Sequence, residues 1–376
     1  MLRCGLGDSM SEQQFLKRFD WGLFGLTFVL GVLGLVSLYS AVTAGASTPQ
    51  KILCVKQVVW YCSGLFIMLF FLLFDYKALE RWSHVIYGTG VSLLVCVLVF
   101  GKYVAGSRRW LTLGPISVQP SEMIKIVVII VLARYYSKLV STKGFTLREL
   151  LNPMIITGIP FALIMRQPDL GTAMLVLLIA ASMTLFVKIE RRSLGYIAGT
   201  CIFTVPLVWF FLKEYQKQRI RTFLDPDQDP LGAGYHIIQS KIAIGAGMVS
   251  GRGFRKGTQN ALSFLPEQHT DFIFSVLAEE MGFVGGLFMI LVFMMLIIWG
   301  LNIAYRCRDP FGTILSVGVT AMIFWQVFIN IGMVMGLMPV VGVPLPFISY
   351  GGSSVITTMM GIGILMNVSM RRYMIE

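Results

Sequence analysis

Charged residues are scarce in this chain, and their scarcity decides its class. Asp, Glu, Lys and Arg make up 13% of the 376 residues, whereas 56% of the residues are hydrophobic. Soluble domains usually carry about a quarter charged residues. The composition therefore excludes an ordinary soluble domain. Apolar runs of 18 or more residues recur, and each is long enough to cross a bilayer as a helix.

Other common signatures are missing as well. The six cysteines are scattered without a C-x-x-C pair, which disfavours disulfides and thiolate metal sites. The glycine-rich segment 232–254 lacks the strand and the spacing of a dinucleotide fingerprint or a P-loop. No zinc-knuckle or helix-turn-helix pattern accompanies the net charge of +12. Basic cytoplasmic loops explain that charge better than nucleic-acid binding does, so we expect no nucleic-acid partner. Because the cysteines are scattered, we also expect no metal site.

The apolar runs predict an all-α polytopic membrane protein with about ten transmembrane helices, because lipid cannot satisfy the backbone of an open strand. We treat residues 1–376 as one transmembrane domain whose first 20 residues are a cytoplasmic N-terminus. Residues 213–271 form a large extracytoplasmic loop between helices 7 and 8, and a connection of that length is a candidate functional segment. The predicted helices are 21–42, 54–74, 84–101, 119–139, 151–165, 170–187, 194–212, 272–304, 312–338 and 352–370.

Lys and Arg gather at alternate ends of these helices, and the positive-inside rule then makes both termini cytoplasmic. The opposite, outward side carries segments whose polar residues are the least needed for folding. These segments are 102–122, 165–172, 213–271 and 338–354.

Asp271 lies at the mouth of the eighth helix, in the stretch LPEQHTDFIFSVLAEEMG. It can cap the helix start. Its apolar neighbours would also suit the carboxylate to work as a general base. His269 either shares the proton or bonds to the loop, and Glu267 is at most a supporting group. Glu279 lies about 12 Å further along the helix axis, too far for a two-carboxylate pair on one glycosidic bond.

Two further groups of charges lie near predicted helix ends on the outward side. Glu122 and Lys125 are three residues apart and face each other; they form either a structural ion pair or part of a functional cavity, which we favour. Asp169 after Pro168 is typical of a helix cap. Arginines suit phosphate binding, although each could instead contact lipid headgroups. The arginines on this side that we select are Arg109, Arg166, Arg219 and Arg221.

Several of these segments together resemble the SEDS family (shape, elongation, division and sporulation), and its elongation branch more than its division branch. The resemblance runs in order from about Asp20 to Arg372. The segments are GSRRWLTLGPISVQPSEMIKI, RQPDLGT, FLDPDQDPLGAGYHIIQSKIAIGAG, FLPEQHTDFIFSVLAEEMGFVG and NIGMVMGLMPVVGVPLPFISYGGSS.

The resemblance implies a ten-helix bundle in the bacterial cytoplasmic (inner) membrane that polymerises lipid II into glycan strands at its outer face during cell elongation and cell-shape maintenance. The family's key acid falls on Asp271, and its charged pair, coupled to activation by a partner, falls on Glu122 and Lys125. We expect Arg109, Arg166, Arg219, Arg221 and His269 to contact substrate. The implied partners are a class B penicillin-binding protein and other elongation-complex proteins. No cofactor is implied with certainty, and a divalent cation such as Mg²⁺ or Mn²⁺ is left open.

Two alternatives remain at this point. A lipid II flippase would also contain intramembrane charges and broken helices. A scaffold that activates a penicillin-binding protein without chemistry of its own would share the same topology.

Overall fold

The computed structural model describes residues 18–43, 51–104, 107–113, 116–139, 144–196, 199–200, 210, 214–228, 232–261 and 268–371. The prediction of a helical membrane protein is confirmed. The long helices are α1 (Trp21–Thr43), α2 (Lys51–Leu73), α3 (Tyr76–Phe100), α4 (Pro120–Lys138), α5 (Leu147–Arg166), α6 (Leu170–Phe186), α10 (Ile273–Arg306), α11 (Pro310–Val334) and α12 (Gly352–Arg371).

Within the described ranges, seven of these helices are long and apolar enough to cross a membrane; α4 and α6 are not among them. Helix α4 carries four charged residues and α6 has only 17 residues, yet both coincide with predicted spans. The remaining prediction, 194–212, falls mostly on residues outside the described ranges. The total of ten therefore stays a prediction.

The predicted loop at 213–271 contains helices of its own. They are α7 (Glu214–Leu224), a 3₁₀ turn at Pro226–Gln228, α8 (Ala233–Ala246) and the short α9 (Thr258–Ala261). Helix α8 packs against α10, where the hydroxyls of Ser240 and Ser275 lie 2.7 Å apart. The loop is thus joined to the bundle by buried polar contacts.

A small antiparallel sheet between α3 and α4 was not predicted. Strands β1 (Lys102–Val104), β2 (Ser107–Leu113) and β3 (Ile116–Val118) pair in the order β1-β2-β3. The signal was present in the sequence, because Ala-Gly and Gly-Pro pairs separate short runs that alternate polar and apolar residues. The sheet stands on the end of the bundle that also carries residues 166–172 and 268–271.

Contacts show that the segments grouped on one side by the charge pattern do meet at one end. Arg109 in β2 reaches the turn after α5, and the backbone N–H of Gln119 donates to Ser353 at the start of α12, 3.0 Å away. Tyr350 N–H donates to the His269 carbonyl. The relative grouping of these segments is therefore as predicted, while the compartment that they face stays a prediction.

An irregular segment, residues 335–351, connects α11 to α12 and is packed into the bundle. Phe347 adopts a left-handed conformation with φ of 63° although it is bulky and buried. The hydroxyl of Tyr61 donates to its carbonyl, and Gly34 of α1 leaves room for it, since a Cβ there would lie 2.3 Å from the same oxygen. Non-helical backbone at this depth is tolerated because protein surrounds it.

Candidate functional site

Asp271 lies in the turn immediately before α10 and is partly exposed. The helix begins at Ile273, and residues 272–278 are buried among apolar side chains. A Cβ at Gly342 would lie 3.3 Å from Oδ2 of Asp271, so this glycine lets the irregular segment approach the carboxylate closely. The carboxylate therefore stands between the mouth of α10 and a wall of non-helical backbone.

The backbone around Asp271 is held by side chains from two other elements. Nδ2 of Asn330 in α11 donates to the carbonyls of Asp271 at 3.0 Å and Val343 at 2.7 Å. The hydroxyl of Ser349 donates to the Thr270 carbonyl at 2.6 Å. Both side chains are almost fully buried. Buried hydrogen bonds of this kind fix backbone position, because losing one leaves a carbonyl unsatisfied.

Gln57 adds a third element, α2, to this hydrogen-bond network. Its Nε2 donates to the Ser349 carbonyl at 3.2 Å, and its Oε1 accepts from the N–H of Gly351 at 3.3 Å. Gln57 is fully buried in a helix whose neighbouring residues are mostly exposed. Helices α2 and α11 and the irregular segment thus converge on residues 269–271.

A cavity of about 610 Å³ opens beside Thr270. Two lysines lie on its wall, Lys56 of α2 and Lys102 of β1, together with the aromatic rings of Trp60, Trp110 and Tyr350. Apolar and aromatic walls with a few polar groups are typical of ligand sites.

The same cavity reaches the outer surface of the bundle. Val55 and Val59 line it, and they are 66% and 55% exposed on α2, which is a membrane-crossing helix. An apolar chain lying in the bilayer can therefore contact the cavity wall while a polar headgroup occupies its interior.

Asp169 is the centre of a second buried network. It accepts hydrogen bonds from Gln119, Ser121 and Thr172, including the N–H of Thr172, which confirms its capping role at α6. Arg109 lies 3.8 Å from it and donates to the carbonyls of Gln167 and Pro168. This cluster fixes the sheet to the turn between α5 and α6.

Arg109 therefore has structural partners in addition to its predicted contact with phosphate, which stays a prediction. Its neighbour in β2, Trp110, lies on the cavity wall. By anchoring β2, Arg109 positions that ring.

Glu122 and Lys125 form the ion pair that their spacing predicted. The two charged atoms lie 2.8 Å apart in the first turns of α4, and the side chains are 4% and 0% exposed. Gln119 and Ser121 belong to the Asp169 cluster directly before them. The pair is thus buried behind the wall that carries β2, and a role in activation stays a prediction.

The remaining predicted residues are dispersed. Arg166 is exposed at the end of α5, and Arg219 and Arg221 lie on α7. His269 is partly exposed, with its ring 6.0 Å from that of Tyr350. Glu267 lies outside the described residues. Glu279 is buried and accepts from the N–H of Gln259, so it supports the loop and not the cavity.

In the part of the chain that the structure describes, no group of three or more His, Cys, Asp or Glu side chains converges as a metal site. Mg²⁺ is often held by one or two carboxylates together with substrate phosphates. Asp271 fits that pattern as a single carboxylate, and a cation requirement stays open.

Sequence reasoning missed Lys56, Lys102, Trp60, Asn330 and Ser349. Lys56 interrupts the apolar run of α2, and Gln57 follows it, which is a detectable signal because polar residues within a span usually face a cavity or the bundle interior. Asn330, near the end of the apolar helix α11, carries the same signal.

Comparisons with known proteins agree with this geometry. The model of the FtsW, RodA and SpoVE family, described as cell cycle protein, matches residues 18–374. The peptidoglycan glycosyltransferase MrdB of Escherichia coli K12 is 42% identical over 352 residues, which cover 93% of this chain and 94% of the relative. The peptidoglycan glycosyltransferase RodA of Treponema pallidum is 32% identical, with 94% and 98% covered.

Two solved structures are similar as well. A chain from a peptidoglycan synthase complex that coordinates polymerisation and crosslinking superposes with a TM-score of 0.80 at 33% identity. The rod shape determining protein RodA of Thermus thermophilus gives 0.71 at 28% identity. Each covers 94% of this chain and 98% of the other.

The buried pair yields a prediction about stability. Glu122→Gln or Lys125→Met alone leaves one buried charge unpaired, which should lower the free energy of unfolding by about 3–5 kcal/mol. The double variant removes both charges and should recover most of that loss. Thermal unfolding of the purified protein in detergent micelles measures all three.

The matched control is the pair Glu214 and Lys217, which has the same spacing and a 3.2 Å separation but exposes most of the glutamate. Its single variants should change stability by less than about 1 kcal/mol. A double variant of Glu122 and Lys125 no more stable than either single would contradict the interpretation.

Proposed function

The chain belongs to the FtsW, RodA and SpoVE family, which is the SEDS family, and we propose from this premise that it is a peptidoglycan glycosyltransferase that polymerises lipid II during cell elongation and cell-shape maintenance. The observation that carries the proposal is identity of 42% over 93% of the chain to a peptidoglycan glycosyltransferase. The site adds a carboxylate, Asp271, directly after Thr270, which lines a cavity that opens toward the membrane-facing surface.

Asp271 is the general base in this proposal. It takes the proton from the acceptor sugar hydroxyl as that oxygen attacks the anomeric carbon of the donor, and the bond to the lipid-linked pyrophosphate breaks. The electron pair leaves with the pyrophosphate, which is a stable anion and needs no general acid. A carboxylate whose backbone is fixed by Asn330 and Ser349 is suited to this task because positioning lowers the barrier.

The cavity beside Thr270 accepts the headgroup of the lipid-linked substrate. Lys56 and Lys102 supply positive charge for the pyrophosphate, and the rings of Trp60, Trp110 and Tyr350 supply flat apolar walls for the sugars. Arg109, Arg166, Arg219, Arg221 and His269 complete the substrate-binding groups on this side. Cationic groups stabilise the negative charge that develops on a leaving phosphate.

The same reasoning gives the setting of the enzyme. As a multi-pass protein of the bacterial inner membrane, it keeps both termini in the cytoplasm and turns Asp271 outward, as the distribution of Lys and Arg predicts. A class B penicillin-binding protein is its partner within the elongation complex. The proposal of this partner is supported by the similarity to a chain from a complex that coordinates polymerisation and crosslinking.

Substitution of Asp271 by Asn tests the base directly. The variant keeps the size of the side chain and removes its basicity, so polymerisation should fall by at least about 100-fold. The measurement is glycan-chain formation from purified lipid II, with and without the penicillin-binding partner. Asp227→Asn, an exposed acid in the same long loop, is the control and should keep full activity.

The outcomes of this assay separate the alternatives. Chains from wild type and none from Asp271→Asn support the base. Transbilayer movement of labelled lipid II without polymer indicates a flippase, and neither activity indicates a scaffold. Undiminished polymerisation by Asp271→Asn would refute the role given to this carboxylate.

Replacement of both cavity lysines by glutamine tests the binding role. The variant loses two charge-assisted contacts to phosphate, so KM for lipid II should rise about tenfold or more, and kcat should fall as well because the charge on the leaving phosphate is less stabilised. Lys77→Gln, exposed at the other end of the bundle, is the control. An unchanged KM in the double variant would place the pyrophosphate elsewhere.

A further inference from the structure

Helix α10 is broken at Gly282, and a short loop supplies hydrogen-bond partners for the backbone groups released there. Gly282 has φ of 68° and ψ of −164°, far from helical values. The freed N–H groups of Phe283 and Val284 donate to the carbonyls of Met248 and Val249 at 2.8 Å and 3.2 Å. Backbone groups released at a helix break must find new partners, and here residues 247–257 supply them.

This loop, residues 247–257, is held firmly on its other side as well. The N–H groups of Arg252 and Gly253 donate to the carbonyls of Glu279 and Glu280, each at 3.0 Å. Gly251 has φ of 79°, and a Cβ there would lie 2.1 Å from the Glu280 carbonyl oxygen, so only glycine allows this approach. The loop backbone is therefore fixed before any ligand arrives.

The loop lies where two apolar surfaces end. Along α10, exposed apolar side chains continue from Phe283 to Ile298, and along α1 they end near Tyr39. Met248 and Val249, which are 79% and 66% exposed, extend this apolar surface onto the loop. Since α1 and α10 are membrane-crossing helices, the loop stands at the boundary between hydrocarbon and headgroups.

Three exposed cations follow within five residues: Arg252, Arg255 and Lys256. Arg255 donates to the carbonyl of Thr43 at 3.2 Å and lies 6.0 Å from the centre of the Tyr39 ring, on which Phe254 also stacks. Arg252 donates to the Thr258 hydroxyl. Among the described residues, no carboxylate lies within ion-pair distance of these three cations.

We propose that residues 252–256, together with Tyr39 at the end of α1, form a binding site for the headgroup of an anionic phospholipid in the leaflet on the Asp271 side. The cations face the phosphate, and Met248, Val249 and Phe254 contact the upper acyl chains. Basic side chains beside a membrane surface attract anionic lipid, and aromatic rings favour this depth. The backbone carbonyls of Glu279 and Glu280 accept hydrogen bonds from the same loop, so a lipid bound there also stabilises α10 at its break. Helix α10 begins two residues after Asp271.

Photo-crosslinking of the full-length protein in nanodiscs tests the site. The discs contain phosphatidylcholine with a small fraction of photoactivatable phosphatidylglycerol, and crosslinks to residues 247–258 are quantified by mass spectrometry. The triple variant R252Q/R255Q/K256Q should lose these crosslinks by at least about tenfold, since each cation contributes to attraction for anionic lipid. The variant R252K/R255K/K256R, which keeps the charge, should retain most of them.

A matched control removes three exposed cations from the other end of the molecule. K188Q/R191Q/R192Q has the same change in net charge and should leave crosslinks at residues 247–258 unchanged. Equal loss in this control would overturn the proposal, because it would reduce the effect to overall charge.

Competition distinguishes the ligand. Excess phosphatidylglycerol should displace the probe, whereas phosphatidylcholine and inorganic phosphate should not. Displacement by phosphatidylcholine to the same extent would overturn the proposal. Displacement by a polyprenyl phosphate but not by phosphatidylglycerol would also overturn it, by making the loop an entry point for the substrate lipid. Undiminished crosslinking in R252Q/R255Q/K256Q would show that the three cations do not form the site.

Discussion

The hydrogen bonds from the Asn330 amide to two backbone carbonyls are the interaction on which the site most depends. One of those carbonyls belongs to Asp271 and the other to Val343, so a single buried side chain of α11 fixes both the acid and the wall that faces it. Ser349 and Gln57 extend the same arrangement to Thr270 and Gly351. A carboxylate in a loop would otherwise be free to move, and small displacements of a reacting group are costly for catalysis.

The irregular backbone segments of this membrane bundle lie beside the candidate functional residue, Asp271. Residues 335–351 and the break at Gly282 both release backbone groups that lipid cannot satisfy. Buried side chains satisfy those of the first segment, and the loop 247–257 satisfies those of the second. Residues 335–351 contact the turn at Asp271, and the break at Gly282 ends the helical piece that follows, so the acid lies directly before a short helical piece that other elements hold at both ends.

Much of this could be predicted from the sequence, because the features concerned are local. The helices follow from apolar runs, the pairing of Glu122 with Lys125 follows from their spacing, and the capping by Asp169 follows from the proline before it and the helix after it. The position of Asp271 at a helix mouth was equally readable. The grouping of four loops at one end followed from the alternation of basic residues along the chain.

The rest could not be predicted because it depends on contacts between distant segments. Arg109 was expected to meet phosphate, yet its guanidinium also fixes β2 to the turn at 167–169, which no local pattern reveals. The cavity is formed by α2, the sheet and the start of α12, and these lie as far apart in sequence as Lys56 and Tyr350. The role of Asn330 likewise becomes visible only when α11 is placed beside residue 271.

The most direct test of this account is the kinetics of Asn330→Leu, which keeps a side chain branched at Cγ and removes both donated hydrogen bonds. We expect kcat for lipid II polymerisation to fall by about tenfold or more, with KM nearly unchanged and the protein still folded. Gln326→Leu, one turn away on the same helix and equally buried, should keep kcat near that of wild type. Full kcat in Asn330→Leu would contradict the claim that this amide holds the proposed catalytic carboxylate, Asp271, in place.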